Sequence, residues 1–240
     1  MKEKKFKKKS HYIFLNKVYR LFIVLLLFVI AIMCSNFFLV RGEKKCEQVK
    51  VVKQEVVNKN VVFFGDSITD FYDLDKYYPD LKKVNSGISG NRTWDLKNDM
   101  YNRLYRYNPS EVVLLIGINN FLYEDSSVDT VVNDIKEIIG NIKKELPHTK
   151  IYVQSIYPIN DDWRINKRRD VPVANILTDK ILESNKQLEV FCKENKITYI
   201  DMFKVLSNTN NEFSREFTDD GLHPNENGYN KITKVLKKYL

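Results

Sequence analysis

Two residues far apart in the chain are of the types needed to attack a carbonyl group, Ser67 and His223. Ser67 closes the run Val61-Val62-Phe63-Phe64-Gly65-Asp66-Ser67, where an apolar stretch stops at a glycine and presents a hydroxyl. His223 lies in Asp220-Gly221-Leu222-His223-Pro224, three residues after a carboxylate. A serine becomes a nucleophile at neutral pH only beside a base, and the base needs a group to orient it. Ser67, His223 and Asp220 are of the right types for those three tasks. The other histidines are poorer candidates. His11 sits in a lysine-rich tail, and His148 follows Leu146-Pro147 in the pattern of a surface turn.

The same chemistry needs N–H donors to hold the oxyanion that forms on attack. A serine at a strand-to-helix turn supplies its own backbone N–H, so Ser67 is one candidate. Asn85-Ser86-Gly87-Ile88-Ser89-Gly90-Asn91 reads as a glycine-containing loop after a strand, and glycine lets a backbone N–H approach a ligand closely. Gly117-Ile118-Asn119-Asn120 follows the most apolar strand pattern, and an asparagine there offers an uncharged side-chain N–H. Asp66 is read as a capping or loop-bracing residue. Thr69 stands where the nucleophile elbow of α/β-hydrolases has glycine, so that motif is not met. Neither the Gly-x-Gly-x-x-Gly spacing of dinucleotide sites nor a phosphate loop occurs. The acyl-transfer chemistry itself requires no metal and no cofactor.

Positioning these residues takes alternating strands and helices. Strand patterns run over Val61–Phe64, Lys83–Asn85, Val112–Ile116, Ile151–Ser155 and Thr198–Ile200, and three are nearly unbroken apolar runs suited to burial on both faces. Val128, Val131, Val132, Ile135, Ile138, Ile139 and Ile142 form one helical stripe, and Ile176, Leu177, Ile181, Leu188 and Phe191 another. Asn225 caps a last helix carrying Tyr229, Ile232, Val235 and Leu236. The alternation predicts a doubly wound parallel sheet, in which ligands bind beyond the carboxyl ends of the strands. Ser67, Gly87 to Gly90 and Gly117 to Asn119 all follow strand patterns and converge there.

Four blocks, Gly-Asp-Ser, Gly-Ile-Ser-Gly, Gly-Ile-Asn and Asp-x-x-His-Pro, stand in the order and rough spacing of the SGNH (GDSL) hydrolases. Residues 60–240 resemble that family over essentially their whole length. They look most like its small bacterial esterase branch, related to platelet-activating-factor acetylhydrolases and lysophospholipase L1. The resemblance implies a flavodoxin-like three-layer α/β/α sandwich with a five-stranded parallel sheet. It also implies a serine esterase with Ser67 as nucleophile, His223 as base and Asp220 as its partner. The Ser67 N–H, the Gly90 N–H and the Asn119 side chain would form the oxyanion hole. The pattern departs at Asn120, where the family usually has aspartate, which implies altered loop bracing with the chemistry kept.

The N-terminus is of a different kind. Residues 21–40 carry no charged side chain, and twenty residues at about 1.5 Å each span roughly 30 Å, the thickness of a bilayer core. Residues 1–20 contain eight Lys or Arg and one Glu, which by the positive-inside rule places them in the cytoplasm. A cleaved signal peptide is the alternative, but the basic region is long and no clear small-x-small cleavage site follows. The expected order is a basic tail (1–20), a transmembrane signal-anchor (21–40), a stalk (41–59) and an extracytoplasmic hydrolase domain (60–240). The chain's formal charge is +8, yet residues 41–240 hold 31 basic against 30 acidic side chains. The basicity therefore marks topology and gives no reason to expect a nucleic-acid partner. Cys34, Cys46 and Cys192 are odd in number and scattered, so no disulfide framework follows, although Cys46 has the place to pair between chains.

Specificity is expected in the loop Asn160 to Val171, where Trp163 and Arg164 are the candidate substrate contacts. The leading expectation is hydrolysis of short acyl esters, O-acetyl above all, on cell-surface glycans. A lysophospholipase or thioesterase acting on lipid acyl esters is the alternative within enzyme chemistry. A catalytically silent glycan-binding module is the alternative outside it.

Overall fold

The run Val61-Val62-Phe63-Phe64-Gly65 has no charged side chain to keep wet, and it forms β1 (Val61–Gly65), buried along its whole length. The structure, a computed structural model, describes residues 60–160 and 173–240. The tail, the proposed membrane segment and the stalk at 1–59 lie outside the described residues, as do Trp163 and Arg164. Among the described residues no helix is long and apolar enough to cross a membrane.

Four more strands follow: β2 (Lys83–Gly87), β3 (Glu111–Leu115), β4 (Lys150–Gln154) and β5 (Thr198–Ile200). They make one sheet in the order β2-β1-β3-β4-β5, every pair parallel. The fold is a three-layer α/β sandwich with a five-stranded parallel sheet. β1 and β3 are central and buried at every position, which their unbroken apolar runs foretell. Successive side chains take opposite faces, so Phe63 packs on the rings of Tyr72 and Tyr78 while Phe64 lies under the Arg103 guanidinium.

The helices are α1 (Ser67–Asp70), α2 (Leu74–Tyr77), α3 (Thr93–Asn98), α4 (Met100–Arg103), α5 (Ile118–Tyr123), α6 (Val128–Glu145), α7 (Val173–Glu194), α8 (Met202–Leu206) and α9 (Glu226–Leu236). The stripe Val131, Val132, Ile135, Ile138, Ile139 and Ile142 is the buried face of α6. Each such side chain contributes roughly 1.5–3 kcal/mol by leaving water. Ser127 starts α6 by accepting the Thr130 N–H, and Lys143 and Lys144 suit the negative end of its dipole. α7 packs along α6 and buries Leu177, Ile181, Leu188 and Cys192. α9 starts at Asn225, whose side chain accepts the Gly228 N–H, and it buries Tyr229, Ile232 and Leu236. Tyr229 stacks on Tyr72 with ring centroids 4.8 Å apart.

One boundary differs from expectation in a way that affects the site. β2 runs on through Ser86 to Gly87, so Gly87 belongs to the strand and only Ile88 to Asn91 form the loop. Gly87 pairs in register with Gly65, and a Cβ on it would lie 2.2 Å from the Asp70 N atom. The glycine is there to let α1 lie against β2.

Candidate active site

Gly65 ends β1 where a Cβ would lie 2.3 Å from both the Leu115 carbonyl oxygen and Thr69 Oγ1. Asp66 then caps α1, its Oδ1 accepting the Ile68 N–H at 3.0 Å. Ser67 is therefore the first helical residue, and its own N–H donates to no acceptor among the described residues. That N–H is one of the orphan donors a helix start leaves over.

Ser67 Oγ lies 3.0 Å from His223 Nε2. On the other side of the imidazole, Nδ1 is 2.8 Å from Asp220 Oδ2. Asp220 Oδ1 accepts the backbone N–H groups of Leu222 (2.9 Å) and His223 (2.8 Å), so the carboxylate shapes the loop as well as the ring. Thr218 braces the same loop, accepting the Gly221 N–H and donating its hydroxyl to the His223 carbonyl. Burial alone would raise the Asp220 pKa. The His223 ring donor and the two backbone N–H groups outweigh it and hold the carboxyl well below the usual carboxylate range. An ionised Asp220 fixes the imidazole proton on Nδ1, leaving Nε2 as an acceptor facing the Ser67 hydroxyl.

The loop carrying Gly90 is pinned to the same helix. Ser89 donates both its N–H (3.2 Å) and its hydroxyl (2.6 Å) to Asp70 Oδ2, and the Ile88 N–H reaches the Gly65 carbonyl. Gly90 is exposed at φ +80°, and its N–H has no acceptor among the described residues. Asn119, the second residue of α5, is buried; its Nδ2 donates one hydrogen to the Asn91 carbonyl at 2.9 Å and keeps the second. Ser67, Gly90 and Asn119 thus stand at the carboxyl ends of β1, β2 and β3, three adjacent strands. Among the described residues no three His, Cys, Asp or Glu side chains cluster to hold a metal ion.

A family model for the GDSL-like lipase/acylhydrolase family matches residues 63–231. The chain belongs to this family. It is an ester hydrolase of the GDSL type. A Streptococcus pneumonia structure described as a platelet activating factor is 26% identical, covering 88% of this chain and 98% of that one with a TM-score of 0.68. An acetyl xylan esterase structure shares the fold at 20% identity and a TM-score of 0.58, over 75% of this chain and 99% of the other. The N-acylneuraminate cytidylyltransferase of Escherichia coli O18:K1:H7 is 27% identical over 183 residues, 74% of this chain. This chain spans only 40% of that protein's length.

In this GDSL-type hydrolase the unusual Asn120 is a brace. It is buried, its Oδ1 accepts the Thr93 N–H and its Nδ2 donates to Thr93 Oγ1, both at 3.0 Å. The Thr93 hydroxyl then donates onward to Asp134 Oδ2 at 2.5 Å, and Lys97 pairs with Asp134 at 2.6 Å. An amide suits this place because the threonine's single proton is already committed to Asp134.

Two residues beside Ser67 have a larger part than their sequence context suggests. Arg103, at the end of α4, is buried and bonds across the ends of β1 and β2. Its partners are mostly backbone carbonyls, which leave no mark in a sequence. Asp66 caps α1, but it is also fully buried, and its Oδ2 meets no polar partner among the described residues. Burial pushes its carboxyl up to about 7, against the lowering pull of the Ile68 N–H, His223 and Arg103.

That shift carries a stability prediction. A carboxyl whose folded pKa is raised contributes fully below its unfolded pKa, near 4, and its contribution is lost as pH rises through about 7. Asp66→Asn keeps the acceptor for Ile68 and cannot ionise. Denaturation midpoints of wild type and variant are expected to diverge from pH 5 to pH 8, wild type losing on the order of 1–3 kcal/mol relative to the variant. Parallel pH profiles of the two proteins would remove the case for a neutral Asp66 in the fold.

Proposed function

We propose that this hydrolase is a membrane-anchored, extracytoplasmic serine esterase that removes short acyl groups, O-acetyl above all, from cell-surface glycans. The observation that carries the chemistry is the hydrogen-bonded line from Ser67 Oγ through the His223 ring to Asp220. In the proposed reaction His223 Nε2 takes the Ser67 proton as Oγ attacks the ester carbonyl. The Ser67 N–H, the Gly90 N–H and the second Asn119 Nδ2 hydrogen receive the oxyanion. The tetrahedral intermediate collapses, the alcohol leaves with the proton from Nε2, and the acyl group stays on Ser67. Water then attacks the acyl-enzyme, His223 again taking a proton, and the carboxylic acid leaves.

The leaving alcohol must lie on the His223 side of the scissile bond, since it is protonated from Nε2. The Phe71 ring lies against the same imidazole, 5.1 Å away between centroids and 55% exposed. A flat, wet aromatic face beside the leaving group suits the CH face of a sugar ring. The curated relative is named for an acylated sugar, and a protein of the same fold is an acetyl xylan esterase. In the proposed organisation residues 1–20 lie in the cytoplasm, 21–40 cross the membrane, 41–59 form the stalk and 60–240 act outside. Trp163 and Arg164 supply further substrate contacts in this proposal.

The test uses the full-length chain in detergent with acyl esters from acetyl to palmitoyl and with O-acetylated methyl glycosides. Ser67-dependent rates should be highest for acetyl and propionyl donors. Phe71→Ala should lower kcat/KM about fivefold on the acetylated glycosides, the worth of one aromatic contact, and leave ethyl acetate hydrolysis unchanged. Rates that peak at octanoyl or longer chains would contradict the glycan assignment and favour a lysophospholipase or thioesterase. Protease added to intact cells should digest a C-terminal tag and spare an N-terminal one; the reverse pattern overturns the topology.

A further inference from the structure

Arg103 is 6% exposed, an expensive place for a cation unless its hydrogen bonds are met. Its Nη2 donates to the carbonyl oxygens of Gly65 (2.9 Å) and Ser86 (2.5 Å), and its Nη1 to Asn91 Oδ1 (2.5 Å). Its Cζ lies 5.0 Å from the Phe64 ring centroid, and Ser86 Oγ returns a bond to the Arg103 carbonyl at 2.7 Å.

These partners are not a random set. Gly65 is the last residue of the strand that delivers Ser67. Ser86 lies near the end of the strand that delivers Gly90. Asn91 follows Gly90, and its carbonyl takes the Asn119 Nδ2 hydrogen. One rigid guanidinium therefore ties together the backbones that carry the Ser67 and Gly90 N–H groups, and through Asn91 it braces the acceptor that holds the Asn119 side chain.

We propose that Arg103 is a positioning residue that sets the oxyanion donors relative to Ser67, acting through the Asn91 side chain. The assignment rests on the acyl-transfer reaction proposed above. A packing role alone is better met by an apolar side chain, since burying a charge gains little net stability. An apolar side chain has nothing to hold Asn91 with. Lysine is no substitute either, because a point charge cannot span three acceptors as the planar fork does.

The test compares wild type, Asn91→Ala, Arg103→Lys and the double variant, all as full-length chains in detergent at a temperature where circular dichroism shows them folded. Asn91→Ala removes only the loop contact and leaves the strand-end bonds of Arg103 in place, so it is expected to fold like wild type. It should lower kcat about 10- to 100-fold, as small misplacements of reacting groups do, with KM changed less than about threefold. Arg103→Lys should lower kcat likewise, and the double variant should fall no more than about twofold below the worse single variant, because both act through one contact. Wild-type kcat in Asn91→Ala, or single effects that multiply in the double variant, would overturn the assignment. If Arg103→Lys does not fold, Asn91→Ala alone decides it. Failure of the underlying reaction shows up separately, as wild-type ester hydrolysis that survives Ser67→Ala.

Discussion

Ser67→Ala is expected to lower ester turnover by about 10⁴-fold or more while leaving the protein folded, because it removes the only atom proposed to bond covalently to the acyl group. The structural cost is small. Among the described residues Ser67 Oγ makes one hydrogen bond, to His223, and a single hydrogen bond contributes about 1 kcal/mol net. Asp66 still caps α1 and Gly65 still lets β1 pass Leu115, so the turn does not depend on the hydroxyl. What remains is substrate bound near the backbone donors, with water as the nucleophile. Turnover and denaturation midpoint measured on the same preparation check both halves. Residual turnover within tenfold of wild type would mean that another nucleophile does the work.

Asp220→Asn is expected to lower kcat by about 10⁴-fold although it changes one atom. The reason lies in what the two carboxylate oxygens do. Oδ1 accepts two backbone N–H groups, from Leu222 and His223, and only an oxygen serves there. In the variant the amide oxygen must take that place, which turns the NH₂ group toward His223 Nδ1. Two donors cannot face each other, so the imidazole shifts its proton to Nε2. That nitrogen then has no lone pair for the Ser67 proton. The loop keeps its shape and the chemistry stops. Proton NMR of the ring nitrogens, with kcat on the same sample, checks it. A variant that retains the wild-type tautomer and most of its turnover would sink the orienting role given to Asp220.

The fold was largely legible because its strands are buried on both faces. Unbroken apolar runs mark β1 and β3 to within a residue of the observed bounds, and the seven-residue stripe from Val128 to Ile142 marks α6, which runs on to Glu145. Where a strand is half exposed the signal fades. β2 carries Lys83, Asn85 and Ser86, and its last two residues read as loop. At the site, the titratable side chains were visible from their types and spacing, as Ser67, His223 and Asp220 have few rivals of the same chemistry nearby.

Arg103 was not visible, because it sits in the polar stretch Tyr101-Asn102-Arg103-Leu104-Tyr105-Arg106 and its burial comes from tertiary packing alone. Asp66 is legible as a cap, while its complete burial is not. Asn120 stands out in the sequence for departing from a family pattern. The structure gives the physical reason: the hydroxyl it faces already donates to Asp134.

The most direct measurement is to trap the covalent intermediate. The full-length chain in detergent, treated with a fluorophosphonate or quenched during hydrolysis of p-nitrophenyl acetate, is digested and the modified peptide sequenced by mass spectrometry. The expected result is a single adduct on Ser67, absent in Ser67→Ala and formed far more slowly in His223→Ala. An adduct on another residue, or brisk ester hydrolysis with Ser67 unmodified, would contradict the assignment of Ser67 as nucleophile.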